Sequence, residues 1–305
     1  MPKTRHKDTF SYSTSQWLNF EKNSYLERTG RPIYAIAFLL PFIALYELGT
    51  FWINTDLLNQ SEVRVVAFVW LQEALKYLNF NGRWAWTAPP LVVFAILLGL
   101  QLASRKPWSL SPRDLMPMFI ECVLLAIPLI VLSLVCNSHS AAPMPESPNQ
   151  AAMLAIPPPV IGSPGDHLIA LQQTTTDEFF HEHNLWANMV TALGAGIYEE
   201  LIFRLVLMVV LMMIFQDALG FSHKQAIICS VLISAALFSA HHHIVIIHGQ
   251  VGQTTAFSWA AFSFRMIAGI YFAVLFALRG FGITAGTHAL YDILATFLNA
   301  TLFVG

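Results

Sequence analysis

Charge is scarce in this chain: 11% of its 305 residues are Asp, Glu, Lys or Arg, against about 25% in an average soluble domain. A water-facing surface cannot be built from so few, and with 56% of the residues hydrophobic the composition is that of a polytopic membrane protein. Cysteine is equally sparse. Cys122, Cys136 and Cys229 are odd in number, stand in or beside apolar runs and have no CxxC spacing, which excludes a disulfide framework and a thiolate metal site. No long Lys/Arg run is present and the formal net charge is -2, so nucleic acid is not an expected partner. An early apolar stretch of the signal-peptide kind is missing too: residues 1–32 are polar, with Lys3, Arg5, Lys7, Glu21, Lys22, Arg28 and Arg31, and read as a retained cytoplasmic tail. No internal repeat links the two halves, which argues against an inverted-repeat transporter.

What the chain does have is long apolar runs. At roughly 20 residues per crossing, spans are expected at 33–54, 88–104, 116–136, 187–215, 224–243, 257–278 and 282–304. An eighth run, 63–80, carries Glu62, Arg64, Glu73 and Lys76 among its apolar residues. It reads either as a crossing or as an interfacial helix. The expected fold is thus all-α, a polytopic transmembrane bundle of about seven to eight membrane helices. Arg105, Lys106 and Arg113, then Lys224, then Arg279 flank short connections; the positive-inside rule places these and the basic N-terminus in the cytoplasm. The stretch 137–186, without Lys or Arg and with Pro157, Pro158 and Pro159 in a row, reads as an irregular extramembrane loop on the other side. It separates N-terminal helices at 33–136 from a C-terminal unit at 187–305. Glu47 and Glu121 in the first unit read as interfacial or helix-paired carboxylates, and His181, Glu182 and His183 are too consecutive for a tetrahedral site.

The C-terminal unit holds the charges that need a reason, because a charged side chain at the centre of a bilayer helix costs about 2.5–3.5 kcal/mol on insertion scales. Glu199, Glu200 and Arg204 lie in Tyr-Glu-Glu-Leu-Ile-Phe-Arg. Glu200 and Arg204 are four apart with the acid first, the better order for a helical ion pair. Glu199 is rotated by about 100° from Glu200 and is left without a local partner, as a general base requires. The next run ends Phe-Ser-Ala-His-His-His, which puts Phe238 and His242 on one helix face; His241 replaces His242 if the helix shifts by one residue near its end. The last run pairs His288 with Asp292, again four apart. Arg265 is the remaining cation inside a run, read as snorkelling outward, receiving a substrate carboxylate or pairing with Glu200.

Together, Glu-Glu-x-x-x-Arg, Phe-x-x-x-His and His-x-x-x-Asp on three successive helices resemble the CAAX-protease and bacteriocin-processing family of intramembrane proteases, over roughly residues 187–300. Asp292 stands where the CAAX endopeptidases often carry Asn; such an Asp occurs among bacterial-type members, and a bacterial cytoplasmic membrane is the expected location. The resemblance implies a membrane-embedded endopeptidase in which Glu199 activates water, His242 holds it and the oxyanion forms near His288 and Asp292. Asp292 is expected to orient His288 rather than to donate, as a carboxylate fixes a catalytic imidazole. Arg204 is expected to hold Glu200. The favoured mechanism needs no cofactor, zinc being the alternative. The expected partners are a membrane-associated protein or peptide substrate and the lipid bilayer. A non-enzymatic membrane protein using the same polar groups to hold its helices together is the competing reading.

Overall fold

The computed structural model describes residues 20–21, 23–56, 65–78, 84–140, 185–247, 250–253 and 257–302. The tail at 1–19 and most of the Pro-rich loop, including His181, Glu182 and His183, lie outside them. The described helices are α1 (Tyr25–Thr29), α2 (Pro32–Asp56), α3 (Val66–Tyr77), α4 (Trp84–Ser104), α5 (Leu115–Ser140), α6 (Leu185–Ala218), α7 (His223–His241), α8 (Trp259–Arg279) and α9 (Phe281–Leu302). One antiparallel hairpin, β1 (Ile244–Ile247) with β2 (Gln250–Gln253), follows α7. Among the described residues the fold is a helical membrane bundle apart from this hairpin, which falls where only a connection was expected. The run Ile-Val-Ile-Ile supplies the β-branched residues that favour an extended strand there.

Six of the described helices, α2 and α4 to α8, are long and apolar enough to cross a membrane. The seventh expected span, α9, is a 22-residue helix, roughly 33 Å at 1.5 Å per residue, but it is not among those six. Its position explains why. Every residue from Phe281 to Leu290 is buried, with α6, α5, α2 and α8 packed around it, so this helix shows little surface to lipid and does not need a uniformly apolar one. The eighth candidate, 63–80, resolves into α3, whose 12 residues span roughly 18 Å, well short of a hydrocarbon core of about 30 Å.

Small residues set how closely the central helices approach. A Cβ on Gly196 of α6 would stand 2.5 Å from the Ala289 amide nitrogen of α9, and one on Gly282 would stand 2.8 Å from the Ala35 Cα of α2. Between α8 and α9 the turn takes one residue, Gly280, at φ 77° and ψ 178°, a conformation essentially reserved for glycine. Gly196→Val is therefore expected to force α6 off α9, destabilising the protein by about 1–3 kcal/mol or more. Thermal unfolding in detergent measures this, with Gly99→Val, where nothing lies within 4 Å, as the control that leaves the midpoint in place.

The charges at one end of the bundle are bound to each other. Arg279 reaches Glu121 with Nε at 2.6 Å and Nη2 at 2.8 Å, the Leu26 carbonyl at 3.0 Å and Thr29 Oγ1 at 2.9 Å. Arg28 grips Asp114 through two contacts of 3.0 Å, and Ile33 N donates to Gln101 Oε1 at 3.0 Å. The N-terminal segment, the 105–113 connection and the end of α8 thus share one end, as the charge pattern required of connections on one side. Glu121 is a helix-paired carboxylate.

Candidate functional site

The Glu-Glu-x-x-x-Arg segment does not continue as a regular α-helix. From Leu201 to Leu207 the backbone widens into a π-helix, a rare form that recurs at functional sites. Glu200 and Arg204 are both fully buried here, with Arg204 Nε 3.1 Å from Glu200 Oε2. Arg204 Nη2 also donates to the Gly269 carbonyl of α8 at 3.2 Å, and its guanidinium carbon lies 4.2 Å above the Phe238 ring. The guanidinium is held by one acid, one carbonyl and one aromatic face, on three helices.

Phe238 is the hub of the second motif. Its carbonyl oxygen is within hydrogen-bond reach of Nδ1 of both His241 and His242, the latter at 2.9 Å. A carbonyl only accepts, so Nδ1 carries the proton in each ring, and in the neutral imidazole Nε2 keeps its lone pair. His241 Nε2 then faces Glu199 Oε1 at 3.6 Å, while donor atoms of Glu199, His241 and His242 all lie within 4.8 Å of one another. His241 thus has a direct contact with the glutamate. His242 remains within the same cluster.

The third motif closes the site from α9. His288 Nδ1 is 2.8 Å from Glu200 Oε1, and its ring stacks on Phe272 with centroids 4.5 Å apart and planes at 20°. Its Nε2 lies 3.4 Å from Asp292 Oδ2 and 4.0 Å from Glu199 Oε2. Glu199 Oε2 makes no hydrogen bond among the described residues. His288 therefore has a carboxylate at each ring nitrogen, Glu200 at Nδ1, a partner not expected from the sequence, and Asp292 at Nε2, on the side of Glu199. Glu200 thus serves both Arg204 on its own helix and His288 across the bundle. The local i,i+4 spacing accounts for the first partner and carried no signal for the second.

All six sequence candidates, Glu199, Glu200, Arg204, His242, His288 and Asp292, come together around one buried point. Arg265 Nη1 lies 3.4 Å from His243 Nε2. Burial, and secondarily the charge of Arg265, pushes the His243 imidazole below its ordinary value. Glu47 accepts from the hydroxyl of Tyr198, the neighbour of Glu199, at 3.3 Å. Trp70 and Phe203, which the sequence did not single out, flank His241 with ring centroids at 5.9 and 4.7 Å.

Six apolar crossing helices around a buried polar cluster define an integral, multi-pass membrane protein. Residues 181–294, less than half of the chain, match the family model described as type II CAAX prenyl endopeptidase Rce1-like, and this stretch is similar to the CAAX-protease family. No curated protein and no solved structure was found to match it. The match includes all three motifs and supports, in general terms, a CAAX-type intramembrane endopeptidase.

Proposed function

We propose that the chain hydrolyses a peptide bond of a membrane-associated protein or peptide by water activated at Glu199. One observation carries the reading: a buried carboxylate oxygen and the lone-pair nitrogen of His241 face each other at 3.6 Å. Both are acceptors. A water seated beside them donates one hydrogen to Glu199 and the other to an imidazole Nε2 of His241 or His242, and its oxygen lone pair is left free for attack. As that oxygen bonds to the scissile carbonyl carbon, Glu199 takes the proton. The carbonyl oxygen becomes an oxyanion, received by the Nε2–H of His288, whose ring, with a carboxylate acceptor at each nitrogen, carries both protons. The proton on Glu199 passes to the amide nitrogen, the C–N bond breaks, and a carboxylic acid and an amine leave. Glu200 keeps His288 turned to this task, and Arg204 balances the charge of Glu200. Asp292 stands against the oxyanion-facing nitrogen and steadies its proton.

A second reading rests on the same donors. Two imidazole nitrogens and one carboxylate oxygen from two helices fit a zinc ion, and the Nδ1 contacts to the Phe238 carbonyl are the kind of support that metal-binding histidines have. Such an ion would polarise the carbonyl and acidify a bound water.

The test uses full-length protein purified in detergent and an internally quenched, S-farnesylated peptide ending in a CAAX sequence, the substrate class that the family description names. Cleavage that persists in chelator, from protein without stoichiometric metal by elemental analysis, is the expected result. About one zinc per chain with chelator-sensitive cleavage selects the zinc reading. No cleavage of this peptide or of a non-prenylated counterpart, with membrane substrates unchanged in cells, leaves the polar cluster a structural one.

A further inference from the structure

The site is not completed by the stretch that matches the family. Besides the His242 imidazole, with ring centroids 3.9 Å apart, His241 touches three benzenoid or indole rings on separate elements: Phe238 on its own helix, Phe203 on α6 and Trp70 on α3. The first two lie within residues 181–294, and the third comes from the N-terminal half, 171 positions before His241 in the sequence. Trp70 meets the imidazole edge to face, planes at 61°, and meets Phe203 in the same manner at 6.4 Å. Its helix is too short to cross the membrane and is anchored beside α6. Phe68, fully buried, packs at 90° against Tyr198 with centroids at 5.0 Å and against Tyr46 at 6.0 Å. Val65, Ala67 and Leu75 are buried with it, while Tyr77 and Leu78 face outward. α3 is therefore anchored through its Phe68 face, and Trp70, about 200° round the helix from Phe68, reaches the imidazole from the other side.

The Nδ1 contact to the Phe238 carbonyl fixes one end of the His241 ring but leaves its tilt about that contact free. Tilt decides where Nε2 points. A swing of the ring moves Nε2 by an ångström or more relative to Glu199, and displacements of that size cost about a hundredfold in rate when reacting groups must be held in line. The His242, Phe203 and Trp70 rings, at 3.9, 4.7 and 5.9 Å, limit that swing together.

We infer that Trp70 is a positioning residue that sets the His241 imidazole against Glu199, so that the N-terminal helices contribute to the site and do more than carry the C-terminal unit in the membrane. The inference rests on the proposed hydrolysis only for its kinetic consequence; the ring contact can be tested without a substrate.

Full-length wild type, Trp70→Ala, Trp70→Leu and Trp70→Phe are treated in detergent with diethylpyrocarbonate, and carbethoxylation of His241 and His288 is read separately by peptide mass spectrometry. Trp70→Ala, or Trp70→Leu if the alanine variant does not fold, is expected to raise the labelling rate of His241 about tenfold and leave His288 unchanged. Trp70→Phe stays near wild type. Unchanged His241 labelling in both the Ala and Leu variants overturns the inference, as does a parallel rise at His288, which indicates general loosening. With the farnesylated CAAX peptide, the same variants are expected to lose kcat at nearly constant KM and to recover it with Phe. A change confined to KM would make Trp70 a substrate contact and sink the positioning role. Failure of the wild type to cleave, with the labelling pattern intact, counts against the proposed hydrolysis and not against the contact.

Discussion

Glu199→Gln is expected to reduce cleavage by about 10²–10⁴-fold, the usual worth of a positioned general base, with protein level and thermal midpoint close to wild type. The substitution keeps the side chain's size and removes only its capacity to take a proton. Its structural cost is small because Glu199 has no close ion-pair partner: its contacts to His241 and His288 are 3.6 and 4.0 Å. The amide can also donate to a lone-pair Nε2. Single-turnover cleavage of the farnesylated peptide by purified protein, set beside a melting curve of the same preparation, separates chemistry from folding. Retained turnover removes Glu199 as the base and with it the proposed mechanism.

Arg204→Met is expected to have the largest effect on folding. Arg204 and Glu200 are both fully excluded from solvent, and removing one partner of a buried pair leaves the other charge uncompensated, at a cost of about 3–5 kcal/mol. Met keeps most of the side-chain volume, so the loss reports charge more than a cavity. The Gly269 carbonyl and the Phe238 ring also lose their cation, which loosens α8 and α7 against α6. Little folded protein should be recovered in detergent. The double variant Arg204→Met/Glu200→Gln, in which no lone charge is buried, is expected to regain most of the thermal stability. It should remain slow in catalysis because His288 loses its ionised orienting partner. If the single and double variants are equally unstable, packing and not charge compensation dominates at Arg204.

These two predictions divide along the line between what could be read in the chain and what could not. The crossings were legible because lipid-facing helices must be apolar over a full membrane thickness, and α2 and α4 to α8 satisfy that test. α9 was found by length, but its place at the centre was not, since burial among helices and exposure to lipid both tolerate the same residues. The short α3 left a crossing and an interfacial helix both open because its apolar residues serve a protein neighbour. For the site, spacings of four residues named Glu200 with Arg204 and His288 with Asp292, since a helix brings those positions to one face. The bond from Glu200 to His288, the contact of His241 with Glu199 and the approach of Trp70 to His241 join residues 88, 42 and 171 positions apart, and no local periodicity encodes them.

The sequence by itself determined that this chain lives in a membrane as a helical bundle and that the polar residues of its C-terminal helices fall into three motifs, because hydrophobicity and helical pitch are properties of short stretches. Only the tertiary structure decided which nitrogen meets which carboxylate. That depends on how closely helices can approach at Gly196 and Gly282, on the widened turn after Glu200 and on ring contacts from a distant segment, all of which are relations between elements and not within them.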